Sequence, residues 1–268
     1  MIQKIHFQGL EILTCLPAEP RHPTPLLFVH GAFAGAWIWA DNYLPWFAEH
    51  GYAAHAVSLR GHGDSEERHT IAWHSIAAYV EDIGRAIDWL GEDPVLIGHS
   101  MGGFVAQKFL EHHTAAGLVL LCSAPPQGLL AGQFHLMLEK PGLFTEINQL
   151  IGGRVASVET VRDTLFAQPV DDEVLRGFLQ RMQSESHRAL WDMTAFNLPR
   201  LAQMQRPPML VIGAEQDVLM PPFLVQATAK TYGLTAHIFR DMGHALTHEQ
   251  DWRKVTTLID GWLTQEEL

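Results

Sequence analysis

Cysteine is nearly missing: Cys15 and Cys122 are the only two in 268 residues, too few for a disulfide framework. Both fall in apolar, strand-like runs, as expected of buried reduced thiols. Basic residues are also scarce, with 18 Lys and Arg against 30 Asp and Glu, a formal charge of −12. That balance argues against nucleic acid or an anionic membrane as a general partner. No apolar run approaches the ~18 residues of a membrane span. Residues 1–17 lack the continuous apolar stretch of a signal peptide. No integral membrane segment is expected, and the default compartment is the cytoplasm. Histidine is plentiful at 16, yet no HExxH occurs, and the adjacent pair His112-His113 faces in different directions on a helix. Zinc-ligand spacings are absent as well, so neither a metal nor a cofactor is expected.

What is present is the pattern of an ordinary globular chain, 47% hydrophobic and 18% charged, long enough for one large α/β domain with or without an insertion. Ile2–Phe7 and Leu10–Leu16 flank Gln8-Gly9 and predict an antiparallel hairpin. Residues 17–25 hold four prolines and predict a loop. From residue 26 to 122, short unbroken apolar runs alternate with helical patterns. Leu26–Val29 reads as a strand covered on both faces, Val95–His99 and Gly117–Cys122 as buried strands, and Ala53–Leu59 as a further strand. Helices are expected over Trp37–His50, Ile76–Leu90 and Met101–His113, the second amphipathic through Ile76, Val80, Ile83 and Ile87. Such alternation implies parallel strands with helices on both faces.

The alternation stops at Pro125-Pro126 and resumes at Pro207-Pro208. Between them helical periodicity recurs over Leu129–Glu139, Val158–Phe166, Glu173–Gln183 and His187–Ala195, with no convincing strand. The expected organisation is therefore a core of residues 1–125 and 206–268 interrupted by a helical cap, residues 126–205. Strands over Met209–Gly213 and Thr235–Phe239, and helices over Phe223–Tyr232 and Glu249–Leu263, complete the core.

Gly98-His99-Ser100-Met101-Gly102 lies between the Val95–His99 run and the helical pattern that follows it. A strand-turn-helix junction of this kind forces the serine into a strained conformation and lifts its hydroxyl clear of the sheet, with glycines on either side leaving room. Three fixed positions would arise by accident about 0.1 times in such a chain, so the motif needs its context. Four further features supply it in order: His30-Gly31 after a strand, Arg60-Gly61-His62-Gly63-Asp64-Ser65, Gly213-x-x-x-Asp217, and Gly243-His244. Together they resemble the α/β-hydrolase superfamily, in its capped esterase- and lipase-like form, over nearly the whole chain. The resemblance implies an α/β fold with a mostly parallel central sheet flanked by helices and carrying an inserted helical cap.

A serine hydroxyl is a poor nucleophile near neutral pH; it needs an imidazole to take its proton and a carboxylate to fix the imidazole's tautomer. The family order of serine, acid, histidine selects Ser100, Asp217 and His244, each just past a strand. Glu215 is the nearest rival to Asp217, and His248 the substitute for His244. The oxyanion donors are expected to be the backbone amides of Met101 and Ala32, with Phe33 the fallback for Ala32. His30 reads as a structural histidine bonding its loop, and His99 as pointing away from Ser100. Phe33, Phe134, Met137, Phe144, Trp191 and Leu219 are the expected substrate-contacting side chains.

The activity implied is hydrolysis of a small-molecule carboxylic ester with a hydrophobic acyl or aryl group, through an acyl-enzyme. Thioesters and lactones suit the same machinery. A cofactor-free cyanohydrin lyase or perhydrolase fits less well. Plant lyases of this fold have lysine where Ala245 stands, and perhydrolase-like relatives often have tryptophan in place of Ala32. A receptor that has kept the fold could dispense with nucleophile, acid or base, and all three are present here.

Overall fold

The computed structural model describes residues 1–152 and 157–268. Eight strands form one sheet: β1 (Gln3–Phe7), β2 (Leu10–Cys15), β3 (Leu26–Val29), β4 (Ala54–Ser58), β5 (Val95–His99), β6 (Gly117–Leu121), β7 (Met209–Ala214) and β8 (His237–Phe239). Their order across the sheet is β1-β2-β4-β3-β5-β6-β7-β8. β1 and β2 pair antiparallel through a tight turn in which Gln8 and Gly9 both have positive φ, and β2 pairs antiparallel with β4. Every other pairing is parallel. The fold is therefore the mostly parallel α/β sheet that the alternating pattern implies. β3, β4, β5 and β6 are buried along their whole length, which explains the unbroken apolar runs of β3 and β6.

Eleven helices are described: α1 (Trp37–Ala40), α2 (Tyr43–Glu49), α3 (Ile76–Leu90), α4 (Met101–Phe109), α5 (Leu130–Glu139), α6 (Pro141–Ile151), α7 (Val158–Leu165), α8 (Asp172–Arg181), α9 (His187–Trp191), α10 (Pro222–Thr231) and α11 (Trp252–Gln265). The expected helix Trp37–His50 is two, separated at Asp41-Asn42, with Pro45 in the first turn of α2; a proline is tolerated there and not farther in. α3 keeps its expected bounds because its ends are encoded. Ser75 accepts a hydrogen bond from the Ala78 amide at its start, and Gly91 at φ 79° ends it. α4 stops short of His113, and β8 is only His237–Phe239 instead of beginning at Thr235.

α5 to α9 lie between β6 and β7 in the chain, and no strand interrupts them among the described residues. α6 was not marked by the periodicity, although Pro141 at its first position is a helix-start signal. α9 continues as a π-turn over Asp192–Phe196. Residues 153–156 of the expected cap lie outside the described residues. Val161, Phe166, Leu175 and Phe178 make a small second core with Ala245, so the insertion packs on the loop after β8 as well as on itself. No helix of the described residues is long and apolar enough to cross a membrane.

Candidate active site

β5 ends at His99, and the chain reverses into α4 through Ser100 at φ 52°, ψ −116°. A non-glycine residue at positive φ is held there only by its surroundings. A Cβ on Gly98 would come 2.5 Å from the Gly103 Cα, and one on Gly102 would come 2.3 Å from the Val29 carbonyl oxygen. The glycines therefore permit strand β5, helix α4 and strand β3 to close around the serine. Its own amide donates to the Leu121 carbonyl on the neighbouring strand at 3.0 Å.

Asp217 follows β7. Its Oδ1 accepts the Leu219 and Met220 amides at 2.9 and 2.8 Å, which locks the carboxylate against its own loop. Its Oδ2 accepts from His244 Nδ1 at 2.7 Å. That bond places the proton on Nδ1 and leaves Nε2 as the free base. The Cys122 thiol also hydrogen-bonds the carboxylate. Burial opposes ionisation of Asp217, but His244 and these donors outweigh it and hold the pKa below the usual carboxylate range. Glu215 is exposed, and His248 stands 3.5 Å from Asp41, so neither rival takes the partner's place.

His244 sits in the loop after β8. Glu249 holds this loop by accepting the Gly243 amide at 2.7 Å and, from the insertion, the Ala167 and Gln168 amides at 2.7 and 3.1 Å. His99 has a part that its spacing did not reveal. Its Nε2 donates to the His244 backbone carbonyl at 2.9 Å, and its ring packs against the His244 ring at 4.6 Å between centroids. Burial depresses the His99 pKa to about 3, so the ring is neutral and serves as a strut. His30 is also buried, with its pKa lowered to about 3, chiefly by that burial. Its Nδ1 donates to the Gly31 carbonyl at 2.8 Å and its Nε2 accepts the Leu59 amide at 3.0 Å, the structural role expected of it.

Ser100 and His244 line one cavity of about 130 Å³, walled by Gly31, Ala32 and Phe33 on one side. Met101 is the first residue of α4, so its amide has no acceptor within the helix. Phe33 is removed as a fallback donor, because its N–H donates to Glu185 Oε2 at 3.1 Å. Of the two candidate amides in this loop, only that of Phe33 is taken up in this way among the described residues.

The roof comes from the insertion, but not from the residues expected. Val161, Leu165, Phe178 and Met182 line the cavity, together with Ile147 and two threonines, Thr160 and Thr164. Of the expected contacts, Phe33 and Leu219 are in the lining, whereas Phe134, Met137, Phe144 and Trp191 are outside it. α5 turns Gly132 and Leu136 inward and leaves Phe134 60% exposed, and Trp191, 62% exposed, packs on Phe196 instead. Hydrophobic type alone did not separate the inward face of these helices from the outward one.

Cys122, Asp217 and His244 bring three possible metal-ligand atoms within 4.8 Å of one another. The Asp217 and His244 atoms are already joined to each other by a hydrogen bond, which fits a carboxylate orienting an imidazole.

A family model described as the alpha/beta hydrolase family matches residues 26–257. The chain belongs to the alpha/beta hydrolase family. Among its relatives, a non-heme chloroperoxidase of Streptomyces lividans is 35% identical over 113 residues, 40% of this chain and 39% of that protein. The match thus spans well under half of that relative's length. The AB hydrolase superfamily protein YisY of Bacillus subtilis is 22% identical over 93% of this chain and 95% of its own length. The solved esterase EaEST of Exiguobacterium antarcticum is 18% identical, with a TM-score of 0.73 over 98% of this chain and 100% of that one. Likeness at that identity shows a shared fold.

Proposed function

We propose that this hydrolase cleaves carboxylic esters of small hydrophobic acyl or aryl groups, with Ser100, His244 and Asp217 as its triad. The observation that carries the reading is the Asp217–His244 hydrogen bond at 2.7 Å, with His244 lining the same cavity as the strained Ser100. His244 Nε2 takes the hydroxyl proton as Ser100 Oγ attacks the ester carbonyl. The oxyanion that forms accepts from the Ala32 and Met101 amides, each worth about 3 kcal/mol of barrier in comparable sites. Collapse of the tetrahedral intermediate expels the alcohol, which takes the proton from His244. Water then enters, gives its proton to the same nitrogen and attacks the acyl carbon; the second tetrahedral intermediate collapses by breaking the bond to Ser100 Oγ, which takes that proton back as the acid leaves. Asp217 stays ionised throughout and holds the imidazole in the tautomer that this cycle needs.

The insertion acts as a cap: Val161, Leu165 and Phe178 close an apolar chamber over the serine. A chamber of about 130 Å³ suits a small group, since a cavity of about 150 Å³ holds a benzene. Esters of the same acids with thiols, and lactones, present the same carbonyl to the same groups. The test is turnover of p-nitrophenyl acetate, butyrate, octanoate and palmitate. The expected optimum is at acetate or butyrate, with activity lost in Ser100→Ala. Unchanged turnover in Ser100→Ala, or none in the native protein with any ester, thioester or lactone, would overturn the reading.

A further inference from the structure

After α8 the insertion returns to the core through residues 182–186, and this return grips the loop that carries the expected oxyanion donor. The Gln183 amide donates to the Phe33 carbonyl at 2.9 Å, and the Phe33 amide donates to Glu185 Oε2 at 3.1 Å. Both backbone groups of Phe33 are thus held by the insertion. Phe33 is at φ 63°, a conformation that a non-glycine residue keeps only when its surroundings impose it. The Gln183 side chain repeats the grip on the Arg60–Ser65 turn, accepting from the Gly63 amide at 2.7 Å and donating to its carbonyl at 3.3 Å.

Glu185 is the centre of this clasp and is only 4% exposed. Oε2 also meets His62 Nε2 at 3.1 Å, and Oε1 accepts from the Tyr79 hydroxyl at 3.0 Å and the Ser186 amide at 2.6 Å. Burial disfavours charge on both partners, yet their mutual attraction holds the His62 pKa above its ordinary value and that of Glu185 below. A buried ion pair is seldom a source of net stability, because desolvation offsets the attraction. Its role is better sought in what it positions. The Phe33 N–H shares a peptide plane with the Ala32 carbonyl, whereas the Ala32 N–H lies in the preceding Gly31–Ala32 plane, whose carbonyl accepts from His30 Nδ1 at 2.8 Å. The two planes meet at the Ala32 Cα, so Glu185 and His30 together limit the rotations that aim the Ala32 amide.

Building on the ester-hydrolase reading, we propose that Glu185 is a positioning residue that holds the Ala32–Phe33 peptide so that the Ala32 amide faces the oxyanion. Seating of the cap is thereby a condition for stabilising the transition state. Paired with His62, the carboxylate does this without presenting an uncompensated negative charge near the developing oxyanion.

The test uses the full-length protein and two sets of variants. Glu185→Leu with His62→Leu removes the Phe33 acceptor while replacing the ion pair by apolar groups, an exchange that buried pairs often tolerate. It is expected to melt cooperatively, to lose kcat by about 10- to 100-fold, and to leave KM within about twofold. Its affinity for an alkyl boronic acid, which mimics the tetrahedral intermediate, is expected to fall in the same proportion. Glu185→Gln keeps a carbonyl acceptor and is expected to retain kcat within about threefold. Tyr79→Phe, which loses only the contact to the other carboxylate oxygen, is expected to lower Tm and leave kcat within about twofold. A folded double variant with native kcat and boronate affinity would overturn the proposal, as would Tyr79→Phe losing as much kcat as the double variant. Native protein without Ser100-dependent turnover would sink the hydrolase reading itself, and with it the positioning role.

Discussion

At the carboxyl edge of the sheet, Ser100, Asp217 and His244 stand on loops whose backbones are pinned by neighbouring strands, by glycines packed too closely to admit a Cβ, and by Asx-type bonds. The insertion reaches the same cavity in another way. Its helices contribute shape through a few side chains such as Phe178 and Val161, and expose others of the same chemical type, such as Phe134 and Trp191. Among the carboxylates that join the regions, Glu185 clasps the loop of Phe33, and Glu249 ties the loop of His244 to Ala167 and Gln168. They differ electrostatically. Glu185 has a cation beside it and its pKa is lowered, whereas Glu249 is held mainly by amides and burial raises its pKa. On the proposed reading the sheet edge supplies the reacting groups, and the insertion shapes the chamber and braces the loops of Phe33 and His244.

Substitutions that break this division test it, beginning with the largest effect. Asp217→Asn leaves the volume unchanged but cannot favour the same His244 tautomer, so kcat is expected to fall by about 10³- to 10⁴-fold for every ester, with stability nearly kept. A loss confined to one acyl length would contradict the division. In the insertion, Phe178→Ala enlarges the chamber and is expected to shift the ratio of octanoate to acetate turnover upward by about tenfold, on the scale of a lost apolar contact. Phe134→Ala, the same change on the exposed face, is expected to leave that ratio unchanged; a shift there would place the acyl site elsewhere.

The clasp has a pH signature. Glu185, lowered from 4.5, contributes stability that is present above that value and lost as pH falls through its folded pKa. His62, raised from 6.5, contributes stability that is full below that value and lost as pH rises through its folded pKa. The pair is thus most effective between pH 4.5 and 6.5. The Tm difference between native protein and Glu185→Gln is expected to peak in that window at roughly 5 °C. Parallel melting curves from pH 4 to 8 would remove the ion pair from the account.

The same division explains what could be read from the sequence. β3 and β6 are continuous apolar runs because helices cover both faces, and the glycine spacing at Ser100 records a steric requirement. Asp217 and Gly243-His244 were visible because they follow strands at positions where side chains reach the sheet edge. The insertion offers no comparable constraint: α5 and α6 have apolar residues on more than one side, and only packing selects which face inward. Asp41-Asn42 divides a helix that periodicity alone ran together. Glu185 and Glu249 are single acids in no motif, and their partners lie 152 and 82 residues away, at Phe33 and Ala167. His99 was assigned no task because its acceptor is a backbone carbonyl 145 residues distant, at His244.

The most direct measurement of the central claim is mass spectrometry of the intact and digested protein after reaction with a fluorophosphonate, with Ser100→Ala and His244→Ala alongside. The expected result is one covalent adduct on the peptide that carries Ser100, formed rapidly by the native protein, slowly by His244→Ala and not at all by Ser100→Ala. An adduct on another residue, or none on folded native protein, would contradict the account.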